Sequence, residues 1–150
     1  MRGSVVVCEY KDTKWSSILV NESVQSPVVN AIWAKDSSKI LIFYQSGQVL
    51  LGAATGHKIL AASINQQDKP MFAYVADSRY DFFVVGFEHY IISYNFDASE
   101  RYKIALQGGE KIVSGFLVEF KDKEEPKIVT ITANGVLQIY SAVTGVKICQ

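Results

Sequence analysis

The chain has 150 residues, 49% hydrophobic and 20% charged, which is enough apolar material to build one domain with a core and too much for a disordered chain. Its 15 Lys and Arg balance 15 Asp and Glu. That balance disfavours a nucleic-acid partner, because affinity for phosphate backbones comes mainly from clustered cations. No signal or transit peptide is apparent, and no stretch reaches the roughly eighteen apolar residues of a membrane span, so a cytoplasmic or nuclear protein with no membrane partner is expected.

Taken in order, the chain reads as a series of strands separated by turns. Residues 4–10 (Ser-Val-Val-Val-Cys-Glu-Tyr) and 15–20 are two strands about the polar turn Lys11-Asp12-Thr13-Lys14; β-branched and aromatic residues between turn formers favour strand over helix. Strands at 28–34, 39–45, 49–53 and 57–62 follow. The second of these (Lys-Ile-Leu-Ile-Phe-Tyr-Gln) is apolar on both faces, as a strand buried between two layers must be. Ser46-Gly47 supplies the tight turn after it, with glycine free to take a positive φ. Beyond the polar crossover at 64–70, strands are expected at 71–76, 81–87, 90–96 and 102–106, then at 112–120, 127–133, 136–142 and 146–150. No segment shows a 3.6-residue apolar period, so no helix is expected. Cys8 and Cys149 fall inside strands and are expected to be buried small hydrophobes in a reducing compartment.

One phrase recurs. Asn134-Gly135-Val136-Leu137-Gln138-Ile139-Tyr140, followed by Thr144-Gly145, is echoed at Ser46–Lys58 and, more faintly, from His89 and from Gly3. The turn positions Gly3, Gly47, His89 and Gly135 stand 44, 42 and 46 residues apart. A period in the forties with strand-sized pieces inside it is the mark of a β-propeller blade. The expected fold is therefore all-β: an incomplete ring of four-stranded antiparallel blades in a single domain over 1–150. It comprises a half-blade at 4–20 and blades at about 26–62, 70–106 and 112–150.

The unit resembles the WD-repeat family, whose blades run roughly "V-x-x-V-x-F-S-P-D-G" and later "D-G-x-V-x-[IL]-W-D-x-x-T-G". Residues 28–37 (Val-Val-Asn-Ala-Ile-Trp-Ala-Lys-Asp-Ser) put Trp33 at the aromatic place and Asp36 at the turn. Asn134-Gly135 and Thr144-Gly145 take the two turn positions of the second half. The name-giving Trp-Asp pair is replaced by Cys8-Glu9, Gly52-Ala53, Tyr94-Asn95 and Tyr140-Ser141, so the family's buried Asp–His–Ser/Thr–Trp network does not carry over. A second resemblance is to quinone-dependent propeller dehydrogenases, whose "A-x-T-G-K" phrase is similar to Ser46–Lys58 and Asn134–Lys147. Their closing Trp is missing, with Leu60 and Cys149 near its place.

Side chains suited to catalysis are sparse. His57 and His89 fall in turns without Cys or acidic partners at metal-ligand spacing, Asp77 and Asp81 flank a hairpin turn, and 121–125 is a mixed-charge loop. No enzyme activity, cofactor or metal is expected. Phe43, Tyr44, Phe82, Phe83, Tyr90, Tyr94, Phe116 and Phe120 are read as core between blades, with Trp33 buried on an inner strand. Tyr80 and Tyr102 are read as exposed anchors, since tyrosine is enriched at binding hot spots.

The WD-repeat resemblance implies a non-enzymatic scaffold for other protein subunits or peptide segments in a larger eukaryotic assembly. On that arrangement one end gathers Ser46, Gln66, Gln67, Asp68, Lys69, Glu88, His89 and Asn134, with Tyr80 as a further contact. The half-blade leaves Val5, Val6 and Val7 on an unprotected edge, open to self-association or to complementation by another strand.

Overall fold

The computed structural model describes residues 3–21, 25–64, 68–120 and 124–149, and these hold fourteen strands and no helix. β1 (Val5–Lys11) and β2 (Lys14–Asn21) form a two-stranded antiparallel sheet. Three four-stranded antiparallel meanders follow, with strand neighbours in chain order. The first contains β3 (Val28–Trp33), β4 (Lys39–Tyr44), β5 (Gln48–Ala53) and β6 (Lys58–Ser63). In the second are β7 (Phe72–Val75), β8 (Phe82–Gly86), β9 (Tyr90–Asn95) and β10 (Glu100–Ala105). The third is built of β11 (Ile112–Val118), β12 (Lys127–Thr132), β13 (Leu137–Ser141) and β14 (Lys147–Cys149). The tight turns expected at Ser46-Gly47 and Asn134-Gly135 form as three-residue loops over 45–47 and 133–135, closed by the Gly47 amide donating to the Tyr44 carbonyl and the Gly135 amide to the Thr132 carbonyl, each at 2.9 Å; Gly47 lies at φ 80° and Gly135 at φ 77°, a region closed to most side chains.

The sheets stack face to face, and the alternation along each second strand shows how. In β4, Ile40 and Ile42 pack with Val5 and Val7 of the two-stranded sheet, together with Tyr44 and Leu50. Leu41 and Phe43 point the other way, into a core with Val75, Phe83, Val85, Ile92 and Tyr94 of the next sheet. Phe72, Val84, Ile91 and Ile104 repeat the pattern against Ile112, Ile128 and Tyr140 of the third. Successive strand residues point to opposite faces, so a strand between two layers must be apolar on both.

Burial departs from the sequence reading where one layer runs out. Trp33 is 39% exposed, not buried. It lies opposite Ile40 in the ladder and so shares the face that Val5 and Val7 cover over β4, but β1–β2 does not extend across β3. Trp33→Ala is accordingly expected to cost well under the roughly 3–5 kcal/mol of a fully buried aromatic, which denaturant unfolding measures. Cys8 and Cys149 are both exposed free thiols, contrary to expectation. Cys8 alternates with Val7, away from the first four-stranded sheet, and Cys149 shares the face of Ile139, away from the second. Phe116, on that same outer face, is 38% exposed. Tyr102 is not an exposed anchor: it is half-buried, and its hydroxyl donates to the Ala142 carbonyl at 2.6 Å.

Candidate partner-binding face

A meander sends its turns alternately to its two ends. The turns between second and third strands, and the crossovers from one sheet to the next, therefore share one end. There, Glu88 and His89 form the loop between β8 and β9, closed by the Phe87 amide donating to the Tyr90 carbonyl at 2.8 Å. Lys111, from the next crossover, donates to Glu88 Oε1 at 2.6 Å, and the His89 Nε2 lies 3.7 Å from Glu88 Oε2. The hydrogen bond from Lys111 holds the Glu88 carboxyl below its usual range. His89 Nδ1 lies 2.9 Å from the Glu110 carbonyl, an acceptor only, which makes Nδ1 the protonated nitrogen. Asp68, from the preceding crossover, accepts the Tyr90 hydroxyl at 2.5 Å, and Lys103 Nζ sits 3.9 Å above the Tyr90 ring. Burial, then the bond to Asp68, pushes the Tyr90 hydroxyl pKa up.

Asn134 is exposed at the same end and lines an open cleft of about 870 Å³ with Gln107, Glu110, Gln138 and Tyr140. Inside it Tyr140 donates to Gln138 Oε1 at 2.6 Å, and Gln138 Nε2 donates to Glu110 Oε2 at 2.9 Å. Ser46 is half-buried, its amide held by Ser26 Oγ at 2.9 Å. Asp68 and Lys69 are both exposed; Gln66 and Gln67 lie outside the described residues. The fold thus brings Glu88, His89 and Asp68 into one connected set, with Lys69, Asn134 and Ser46 on the same end. Tyr80 is not among them. It follows the first strand of its sheet, so it stands at the opposite end, half-buried, with Phe82 at 5.8 Å and the Arg79 guanidinium at 5.7 Å.

That opposite end carries a network the sequence reading missed. Asp36 Oδ2 accepts the Ser78 amide at 2.7 Å, and Glu119 Oε1 accepts the Asp77 amide at 2.8 Å. Lys35 Nζ donates to the Glu119 carbonyl, and Arg79 bridges Asp77 (2.7 Å) and the Phe120 carbonyl (3.0 Å). Burial favours the neutral form of Asp36, but the bonds from Ser38 and Ser78 outweigh it and hold the carboxyl well below its ordinary range. Asp77 is lowered chiefly by its hydrogen bond from Arg79, whereas Glu119, 8% exposed, is raised by burial. The signal was present: Asp36 meets Ser78, and Asp77 meets Glu119, each across 42 residues, one repeat length. Among the described residues no group of three or more His, Cys, Asp and Glu could hold a metal ion.

No protein-family model matches the chain. Solved structures do. It superposes on the RRP9 WD40 repeats with a TM-score of 0.64 at 8% identity, covering 85% of this chain and 39% of that one. The β-propeller domain of Cps50 (Swd1) from Myceliophteria thermophila gives 0.67 at 10% identity, covering 95% and 52%. A chain of the mitotic checkpoint complex gives 0.67 at 13%, covering 97% and 43%. This chain thus spans about two fifths to one half of the length of these structures. Three four-stranded meanders and one two-stranded sheet, stacked through shared apolar faces, give the chain the fold of the WD-repeat β-propellers, as an incomplete ring.

Proposed function

We propose that the chain is a non-enzymatic scaffold that binds other protein subunits or peptide segments through the end carrying Asp68, Lys69, Glu88, His89 and Asn134. The observation that carries this reading is the contrast between the two ends. Glu88, His89 and Lys111 side chains are 51%, 48% and 56% exposed, and exposed ion pairs are weak enough to exchange for a partner's groups. At the other end the Asp77 side chain is 10% exposed and engaged by Arg79 of its own turn, while Ser78 donates to Asp36 and the Asp77 amide to Glu119, bonds that join one sheet to the next. The protein assemblies among the similar structures, such as the mitotic checkpoint complex, accord with a role of this kind. No observation favours the quinone-dependent reading.

Affinity capture followed by mass spectrometry identifies a partner; paired alanine variants then test the face. Asp68→Ala with Lys69→Ala, or Glu88→Ala with His89→Ala, is expected to leave stability within roughly 0.5 kcal/mol while weakening capture. Variants that capture normally, while changes at 121–125 or at Lys35 and Asp36 abolish capture, would invert the choice of end.

A further inference from the structure

At one place the third sheet departs from the pattern of the other two, and the departure leads to the loop end. Counted from the turn between second and third strands, the third ladder pair is Ile42–Leu50 in the first sheet, Val85–Ile92 in the second and Thr130–Gln138 in the third. The first two pairs are apolar and buried against the preceding layer. Thr130 and Gln138 are as deeply buried, at 0% and 3% exposed, yet polar, and Thr130 Oγ1 has no hydrogen-bond partner among the described residues. Gln138 lines the cleft that runs along Lys103–Leu106 of β10. Packing gives no reason for a polar pair where an apolar one serves twice in the same chain. Local departures of this kind gather at functional positions.

The Gln138 amide is bonded at both of its ends. Tyr140 donates to its Oε1 at 2.6 Å, and its Nε2 donates to Glu110 Oε2 at 2.9 Å. Glu110 belongs to the crossover into the third sheet and follows two glycines at positive φ, Gly108 and Gly109. Nothing packs within 4 Å of the position of a Cβ on either glycine. Glu110 is held instead by its amide, which donates to the Gln107 carbonyl at 3.2 Å, and by the bond from Gln138. The Glu110 carbonyl is in turn the acceptor for His89 Nδ1 at 2.9 Å. A continuous line of hydrogen bonds thus runs from Tyr140 in the seam, through Gln138 and Glu110, to His89 at the loop end.

We propose that Gln138 is a positioning residue for His89. By holding the Glu110 carboxylate it fixes the carbonyl of the same residue, and that carbonyl selects the His89 tautomer protonated on Nδ1. Nε2, beside the Glu88 carboxylate, is then an acceptor for a donor group of the partner. The proposal rests on the reading of the loop end as the partner-binding face.

Nitrogen NMR of the chain, labelled at its histidine rings and held above the ordinary imidazole range, tests it. His57 is the only other histidine of the two in the chain and serves as the internal reference. In the native chain His89 is expected to show the Nδ1-protonated pattern. Gln138→Leu, which installs the residue that stands there in the first sheet, is expected to move both His89 ring nitrogens toward the Nε2-protonated pattern and to leave His57 in place. Glu110→Ala is expected to do the same, and the double variant to go no further than either, because both changes cut one line. Glu110→Gln, whose amide oxygen still accepts from Gln138, is expected to match the native chain. Affinity for the partner recovered by capture should fall about fivefold or more in Gln138→Leu, the lower end of ordinary coupling between sites. His89 resonances that neither Gln138→Leu nor Glu110→Ala moves overturn the proposal, as does an equal shift in Glu110→Gln. So does normal capture by Gln138→Leu where the Glu88→Ala, His89→Ala pair loses it. Normal capture by that alanine pair would instead refute the loop end as the binding face, and the His89 resonances would still decide the line from Gln138.

Discussion

Phe72→Ala is expected to lower stability by about 3–5 kcal/mol, through a contact that joins two sheets. Phe72 opens β7 and is 7% exposed. Its ring lies over Gly86, its ladder partner in β8, and over Gly115 in β11 of the next sheet. A Cβ at either glycine would fall inside the ring's contact distance. With a glycine on each side, the ring cannot retreat from one without meeting the other. Gly86→Ala and Gly115→Ala are therefore each expected to cost about 1–3 kcal/mol by overpacking, although alanine ordinarily suits a strand better than glycine. In the Phe72→Ala background both substitutions should become close to neutral, since the methyl group then enters the space the ring has left. A double-mutant cycle in urea measures the coupling. Glycine substitutions that cost as much without the ring as with it would place their effect in the backbone instead.

The second large effect is expected at Glu119. Glu119→Ala removes the acceptor for the buried Asp77 amide, at a cost of about 1–3 kcal/mol for the unpaired donor. Glu119→Gln keeps an oxygen that can accept that bond and removes the charge. Burial raises the carboxyl's pKa in the folded chain, so the folded state holds this proton more tightly than the unfolded state does. Stability from this group is greatest below the ordinary carboxylate range and falls as pH rises through the folded value. Glu119→Gln is thus expected to gain on the native chain as pH is raised from about 4 to about 7. Asp77 has the opposite sign. Its pKa is held down first by the Arg79 hydrogen bond, so its contribution is present above the ordinary carboxylate range and lost as pH falls through the folded value. Asp77→Asn should therefore be most costly near neutrality and least costly in acid. Melting curves across that range test both, and a Glu119→Gln profile parallel to the native one would remove Glu119 from the pH dependence.

The features legible in the residues alone are local. Period-two alternation and β-branched residues mark the strands, Gly47 and Gly135 mark hairpins that need a positive φ, and the forty-odd-residue recurrence marks the four-stranded unit, because each of these is set by a residue and its near neighbours. The end to which a loop belongs was also legible by counting strands: Tyr80 follows a first strand, whereas Ser46, Glu88 and Asn134 follow second strands. Which of these strands are covered depends on how the sheets stack. Trp33 and Ile40 share one face of one sheet, yet Ile40 is 4% exposed and Trp33 39%, because a two-stranded layer reaches β4 and not β3. Cys8 and Cys149 read as core by composition and lie on faces that no described layer covers. The bonds from Ser78 to Asp36 and from Asp77 to Glu119 likewise join turns that are unremarkable in isolation. Propensity is a property of a strand, but burial and polar pairing depend on the sheet laid against it.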